Sequence, residues 1–176
     1  VTRALVVYES LFGNARTIAR AVADGLSGQL PATVVAAAEA PTRIGSDVAL
    51  LVVGGPNHAM AMPRRATREG AVRDHPELHL ATVDVGLREW LGELSLEAPG
   101  LAAAAFDTRM DHPRMLVHFD HASHTEERLL TDRGCRLVAP AEHFRVTAAE
   151  GPLQAGEEAR ARDWGAALAR EVAPAR

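Results

Sequence analysis

Two hydrophobic patterns alternate along the chain. Short apolar runs rich in β-branched residues are each followed by a stretch whose apolar positions recur every three to four residues. The first run, Ala4 to Tyr8, reads as a strand buried on both faces. It breaks at a polar turn from Ser10 to Asn14. From Asn14 the spacing is helical, with Ile18, Ala19, Val22 and Leu26 on one face, and Gly25, Gly28 and Pro31 close the helix. Thr33–Ala37 predicts a second strand and Pro41–Ser46 a loop. Asp47–Val53 is the strongest strand, apolar on both faces and therefore central. It runs into Gly54, Gly55, Pro56, Asn57 and His58, a stretch predicted to leave the sheet.

Pro63 opens a predicted helix that extends to Arg73 and is broken by His75-Pro76. Thr82 or Asp84 is placed to cap another, whose apolar stripe is Leu87, Trp90, Leu91 and Leu94. Leu101–Phe106 predicts the fourth strand, followed by a polar loop from Asp107 to Pro113. Ser123-His124-Thr125-Glu126 has the form of a capping box, opening a helix that Gly134 ends. Arg136–Val138 and His143–Val146 read as one strand interrupted at Pro140. The last helix runs from about Gln154 to Glu171, and Trp164, like Trp90, falls at core spacing. Strands alternating with helices, without repeat or linker, predict a single α/β domain over residues 1–176. Its sheet is parallel, with helices on both faces.

In such a sheet, ligands sit at the carboxyl ends of the strands. Three loops are predicted to converge there: Ser10–Ala15, Gly54–Met62 and Asp107–Pro113. The first carries the clearest chemistry. A strand that turns sharply into a helix aims free N–H groups and the positive end of the helix dipole at one spot, which suits a phosphate.

Composition narrows the classes. The net charge of −4 gives no overall attraction to nucleic acid or anionic lipid, and all 19 basic residues are arginine. The longest apolar runs are far too short to cross a membrane, and the N-terminus enters a strand without a signal-peptide pattern. A cytoplasmic protein with neither nucleic-acid nor membrane partners is expected. The single cysteine, Cys135, reads as a small buried apolar residue. No Gly-x-Ser-x-Gly elbow, Walker A loop or His-Glu-x-x-His site occurs. His112, His118, His121 and His124 crowd one region with Asp111 and Asp120. A helix opening at Ser123 keeps His118, His121 and His124 off a common face, so they read as loop histidines and no metal site is expected.

Four of these motifs, in this order, resemble the flavodoxin-like family over nearly the whole chain. Ser10-Leu11-Phe12-Gly13-Asn14-Ala15 resembles the family's phosphate loop, commonly Ser/Thr-x-Thr-Gly-Asn-Thr. Gly54-Gly55-Pro56-Asn57-His58-Ala59-Met60 resembles its Gly-Gly-Pro-Thr-His-Ala loop. Phe106-Asp107-Thr108-Arg109 resembles the stretch after its fourth strand, and Glu150-Gly151-Pro152-Leu153 fits its last crossover. The resemblance implies a three-layer sandwich around a five-stranded parallel sheet of order 2-1-3-4-5, and FMN as cofactor. Ser10, Leu11, Phe12, Gly13, Asn14 and Ala15 would hold the phosphate. Pro56, Asn57, His58, Ala59 and Met60 would lie on one side of the flavin ring, and Asp107, Thr108 and Arg109 on the other. No catalytic side chain is implied.

Phe12 and Ala15 depart from this pattern, standing where the family has hydroxyls. Each lost hydrogen bond to a charged phosphate is worth roughly 1.5–3 kcal/mol. The implied function is electron transfer or a small flavin-dependent oxidoreduction, with a redox partner protein or a small-molecule electron acceptor. The alternative is a non-catalytic binding protein on the same scaffold whose degraded phosphate loop takes no FMN. Arg64, Arg65, Arg68, Arg109 and Arg114 suggest a mixed or basic rim around the site.

Overall fold

The computed structural model of the protein describes residues 2–57, 62–78, 80, 82–110 and 122–172, the side chains of Ala122 and Ser123 excepted. Strands β1 (Arg3–Tyr8), β2 (Ala32–Ala36), β4 (Val48–Pro56) and β6 (Ala102–Met110) build the sheet, and β7 (Arg136–Leu137) and β8 (Glu142–Val146) share its last position. Every pairing is parallel, in the order β2-β1-β4-β6, with β7 and β8 both on β6. Counting the broken last strand as one, this is the expected 2-1-3-4-5 order. The helices are α1 (Asn14–Leu26), α2 (Arg65–Asp74), α3 (Leu87–Glu93), α4 (Ala122–Asp132) and α5 (Glu157–Val172).

Alternation along the strands assigns the two faces. Ala4, Val6, Leu50, Val52 and Ala104 pack beneath α1 and α5 with Ile18, Val22 and Leu168. Leu5, Val7, Leu51, Val53 and Ala105 face the other layer with Leu87, Trp90, Leu91 and Leu130. Burial on both faces explains why β1 and β4 lack the apolar–polar alternation of a half-exposed strand. It also lets the alanine run Ala102–Ala105 form a strand despite its weak β preference, since neighbours pair on both sides.

Two strands are longer than expected. Gly54, Gly55 and Pro56 stay in β4, in register with Phe106, Asp107 and Thr108 of β6. Gly54 is required there by packing: a Cβ on it would lie 2.2 Å from Cε1 of Phe106. Asp107, Thr108, Arg109 and Met110 likewise belong to β6, not to a loop, because β8 pairs with them from His143 to Val146. Within the predicted loop 41–46, Arg43–Ile44 (β3) pairs with Ser95–Leu96 (β5) in a second, two-stranded sheet.

Helix caps also differ from the reading. Thr82 Oγ1 accepts from Asp84 N (3.0 Å) and makes a turn only, while the first N–H of α3, on Leu87, donates to Glu9 Oε2 (2.8 Å). Glu89 Oε2 accepts from Gly86 N (2.9 Å). Helix α4 begins at Ala122, so Ser123 lies inside it, and Glu126 is buried rather than folded back on a cap. Gly134, at φ +87, ends α4 as expected. Cys135 is buried, and burial pushes its thiol up to about 11, consistent with an inert apolar role.

Candidate functional site

The turn from β1 into α1 is built around two local devices. Gly13 takes φ +91, which a side chain would disfavour, and a Cβ there would meet nothing within 4 Å, so open space lies over it. Ser10 Oγ accepts from Gly13 N (3.0 Å), closing the turn, and among the described residues its hydroxyl proton has no acceptor. Thr17 Oγ1 donates to Gly13 O (3.0 Å) and secures the first helical turn from behind. Because α1 starts at Asn14, the N–H groups of its first turn have no acceptor within the helix.

The remaining loop residues are fixed by the neighbouring loops. Asn14 Nδ2 donates to Glu150 O (3.0 Å), and its side chain lies where a Cβ on Gly151 would fall. Phe12 meets the ring of His75 edge-on, centroids 5.1 Å apart, and His75 Nε2 lies 3.2 Å from Glu150 Oε1. Leu11 and Ala15 are buried, Ala15 against the α1–α5 layer. Phe12 and Ala15 therefore serve packing where the family motif has hydroxyls.

A cavity of about 390 Å³ opens against this loop. Ser10, Phe12 and Arg16 form one wall, Ala36–Glu39 a second, and Leu80, Val85 and Gly86 a third. The volume suits a small organic ligand. The second and third walls were not among the residues singled out from the sequence. The available signal was positional: Ala36–Glu39 leaves β2 at the same carboxyl edge as the β1–α1 turn.

The wall at Gly86 rests on a buried ion pair. Arg68, 1% exposed, reaches Glu9 Oε1 through Nη1 (3.1 Å), Glu89 Oε2 through Nη2 (2.9 Å) and Val83 O through Nε (2.7 Å). Burial raises the pKa of Glu9, opposed by the Leu87 N–H and by Arg68. Burial also acts to raise Glu89, but the bonds from Arg68 and Gly86 outweigh it and hold it low.

A second buried group lies at the end of β6. Arg109 Nε donates to Asp107 Oδ1 (2.7 Å), Arg109 Nη2 bonds Asp107 Oδ2, and His143 Nδ1 lies 3.2 Å from Asp107 Oδ1. Burial would raise the Asp107 pKa, yet the bonds from His143 and Arg109 prevail and lower it. Asp107, Thr108 and Arg109, expected at the flavin ring, are thus strand residues with buried side chains. Arg68 and Arg109 are internal and leave the expected basic rim, whereas Arg64 and Arg65 are exposed.

Pro56 ends β4, and Asn57 N donates to Thr108 O (2.9 Å), tying the ends of β4 and β6 together. His58, Ala59 and Met60 lie outside the described residues, as do Asp111, His112, Arg114, His118, Asp120 and His121. His124 is exposed and lies 3.6 Å from Glu127. Among the described residues, no helix is long and apolar enough to cross a membrane.

No protein-family model and no curated protein sequence matches the chain. Solved structures do match it. Flavodoxin 1 from Bacillus cereus is similar with a TM-score of 0.66 and 13% identity, over 98% of this chain and 100% of that one. A flavodoxin from Streptococcus pneumonia TIGR4 gives 0.65 and 18%, over 97% and 100%. A flavodoxin, WrbA-like protein from Agrobacterium tumefaciens gives 0.58 and 16%, over 97% and 96%. At these identities the likeness is one of backbone course. Taken with the 2-1-3-4-5 strand order, it establishes that the chain has the flavodoxin fold.

Proposed function

We propose that the protein binds FMN non-covalently and works in electron transfer, as a carrier or as a small flavin-dependent oxidoreductase. The observation that carries this reading is the β1–α1 turn. Ser10, a left-handed Gly13 and Arg16 in the first turn of α1 line a ligand-sized cavity. That donor set fits a phosphate monoester. The fold supports the reading from outside, since the similar solved structures include flavodoxins.

Bound there, FMN supplies reversible uptake of one or two electrons. The chain's own part is to hold and orient it. Ser10 and the amides at the start of α1, after Gly13, receive the phosphate, Arg16 adds positive charge at the cavity wall, and the Asn14–Glu150 bond keeps the loop in place. Pro56–Met60 is assigned to one side of the ring. A single cytoplasmic domain that exchanges electrons with a partner protein or a small acceptor completes the reading.

Titrating FMN into the protein is expected to quench flavin fluorescence to a stoichiometry of one per chain. Ser10→Ala removes one charge-assisted bond, worth roughly 1.5–3 kcal/mol, and is expected to weaken FMN about 10- to 100-fold. An unchanged affinity in this variant counts against the assigned phosphate site.

A further inference from the structure

The cavity of about 390 Å³ beside the β1–α1 turn is larger than a phosphate needs, and its position shows which way a bound ligand continues. The sheet order places β2 on one side of β1, and β4 and β6 on the other. The cavity lies on the β2 side. Its walls are the turn after β1, Ala36–Glu39 after β2, and Leu80, Thr82, Val85 and Gly86. No described residue of β4 or β6 lines it. A flavin ring set against Pro56–Met60, at the end of β4, therefore leaves this space open. The two sides meet at Ser10 and Gly13.

Two features of the lining have no part in holding a phosphate. One is apolar: Phe12, Leu80 and Val85 line the cavity, and Val85, 39% exposed, is one of two large apolar side chains so open among the described residues. That wall suits a flat heteroaromatic base. The other is Glu39, exposed at the β2 wall, whose carboxylate has no hydrogen-bond or ion-pair partner among the described residues. An ionised carboxylate only accepts, so it suits hydroxyls. In dinucleotide-binding sheets an acid that follows the phosphate turn takes a ribose hydroxyl. Arg16 is exposed at the same cavity, also without an acidic partner among the described residues. The remaining charged lining residues, Glu9 and Arg68, are paired with each other.

We infer that the site takes the flavin as its dinucleotide, FAD, with the adenosine half in this cavity. FAD is FMN continued through its phosphate into a second phosphate and adenosine. The inference rests on the flavin reading above. The flavin phosphate stays at Ser10 and the α1 amides, and the second phosphate lies beside Arg16. Glu39 accepts from the ribose hydroxyls, and adenine packs against Phe12, Leu80 and Val85.

The two flavins then use the chain differently. FMN ends at the turn and is held there by Ser10, the α1 amides and the charge of Arg16. FAD keeps these contacts, since one guanidinium carries enough donors for two neighbouring phosphates. It adds the Glu39 bond and covers the apolar wall.

The test is calorimetric titration of the protein with FAD, FMN and AMP. FAD is expected to bind at least about tenfold more tightly than FMN, the equivalent of one added charge-assisted bond. Glu39→Ala removes the ribose acceptor, and Ala38→Trp fills the cavity from an exposed position after β2. Each is expected to weaken FAD about tenfold or more and to leave FMN unchanged, a difference that damage to the fold would not produce. FAD no tighter than FMN in the wild type, or equal losses for both flavins in the variants, overturns the proposal and leaves the FMN reading standing. Uptake of neither flavin overturns the FMN reading and this one together. Uptake of AMP with neither flavin does the same and gives the cavity to a separate nucleotide.

Discussion

Arg68→Ala is expected to lower the unfolding free energy by about 3–5 kcal/mol, the range for removing one partner of a buried ion pair. Arg68 is the large buried side chain of α2, whose other buried residue is Ala71. It links three elements: Glu9 after β1, Glu89 in α3 and the carbonyl of Val83 between them. Removing it strands the Glu9 carboxylate in the interior, with the Leu87 N–H the one remaining hydrogen-bond donor among the described residues. The loss depends on pH. Without Arg68 the folded-state pKa of Glu9 rises further, so stability falls as pH climbs above the ordinary carboxyl value and through the new one. Urea denaturation is therefore expected to show a smaller deficit near pH 4 than near pH 7. Replacing the pair together, as Glu9→Leu with Arg68→Met, is expected to recover much of the loss, since apolar groups of similar volume leave no charge unmatched. A deficit for Arg68→Ala below about 1 kcal/mol, the scale of an exposed ion pair, contradicts the brace.

The second large effect sits on the opposite face. Gly165→Ala should stabilise by about 0.5–1 kcal/mol if helix propensity alone decided the outcome. It is expected to destabilise instead. A Cβ at Gly165 would lie 2.2 Å from the Val22 carbonyl oxygen, and one at Gly25 would lie 2.0 Å from that of Arg162. These reciprocal glycines let α1 and α5 touch backbone to backbone. The obstacle is main chain, so relief requires moving a helix, and overpacking of this kind costs about 1–3 kcal/mol. The thermal midpoint is expected to drop by about 2–4 °C per kcal/mol in a chain of this size. Gly92→Ala in α3 is the control. A Cβ there meets nothing within 4 Å, so the propensity gain should appear. If Gly165→Ala behaves like Gly92→Ala, the close α1–α5 approach is wrong.

These two positions show what could be read along the chain and what could not. The β1–turn–α1 unit was legible because a β-branched run, a polar turn and a 3.6-residue period succeed one another without overlap. The broken last strand was legible from Pro140. The lengths of β4 and β6 were not. Gly54-Gly55-Pro56 and Asp107–Met110 look like breakers and loop locally, and only lateral pairing with each other and with β8 keeps them extended. The β3–β5 pair is too short to show any periodicity. Arg68 and Arg109 look like surface charges in a charged segment. Their burial depends on Glu9, far away in sequence, and on Asp107, whose own burial follows from the length of β6. For the site, the β1–α1 turn was visible in the sequence. The walls at Ala36–Glu39 and Leu80–Gly86 depend on how distant segments meet.

The account stands on a phosphate held where β1 bends into α1. The most direct measurement compares the affinity of the protein for FMN with its affinity for riboflavin, the same ring and chain without the phosphate. At least two charge-assisted bonds, from the Ser10 hydroxyl and a first-turn amide, predict that FMN binds at least about 100-fold more tightly. Equal affinity for the two, or no uptake of FMN, would contradict it.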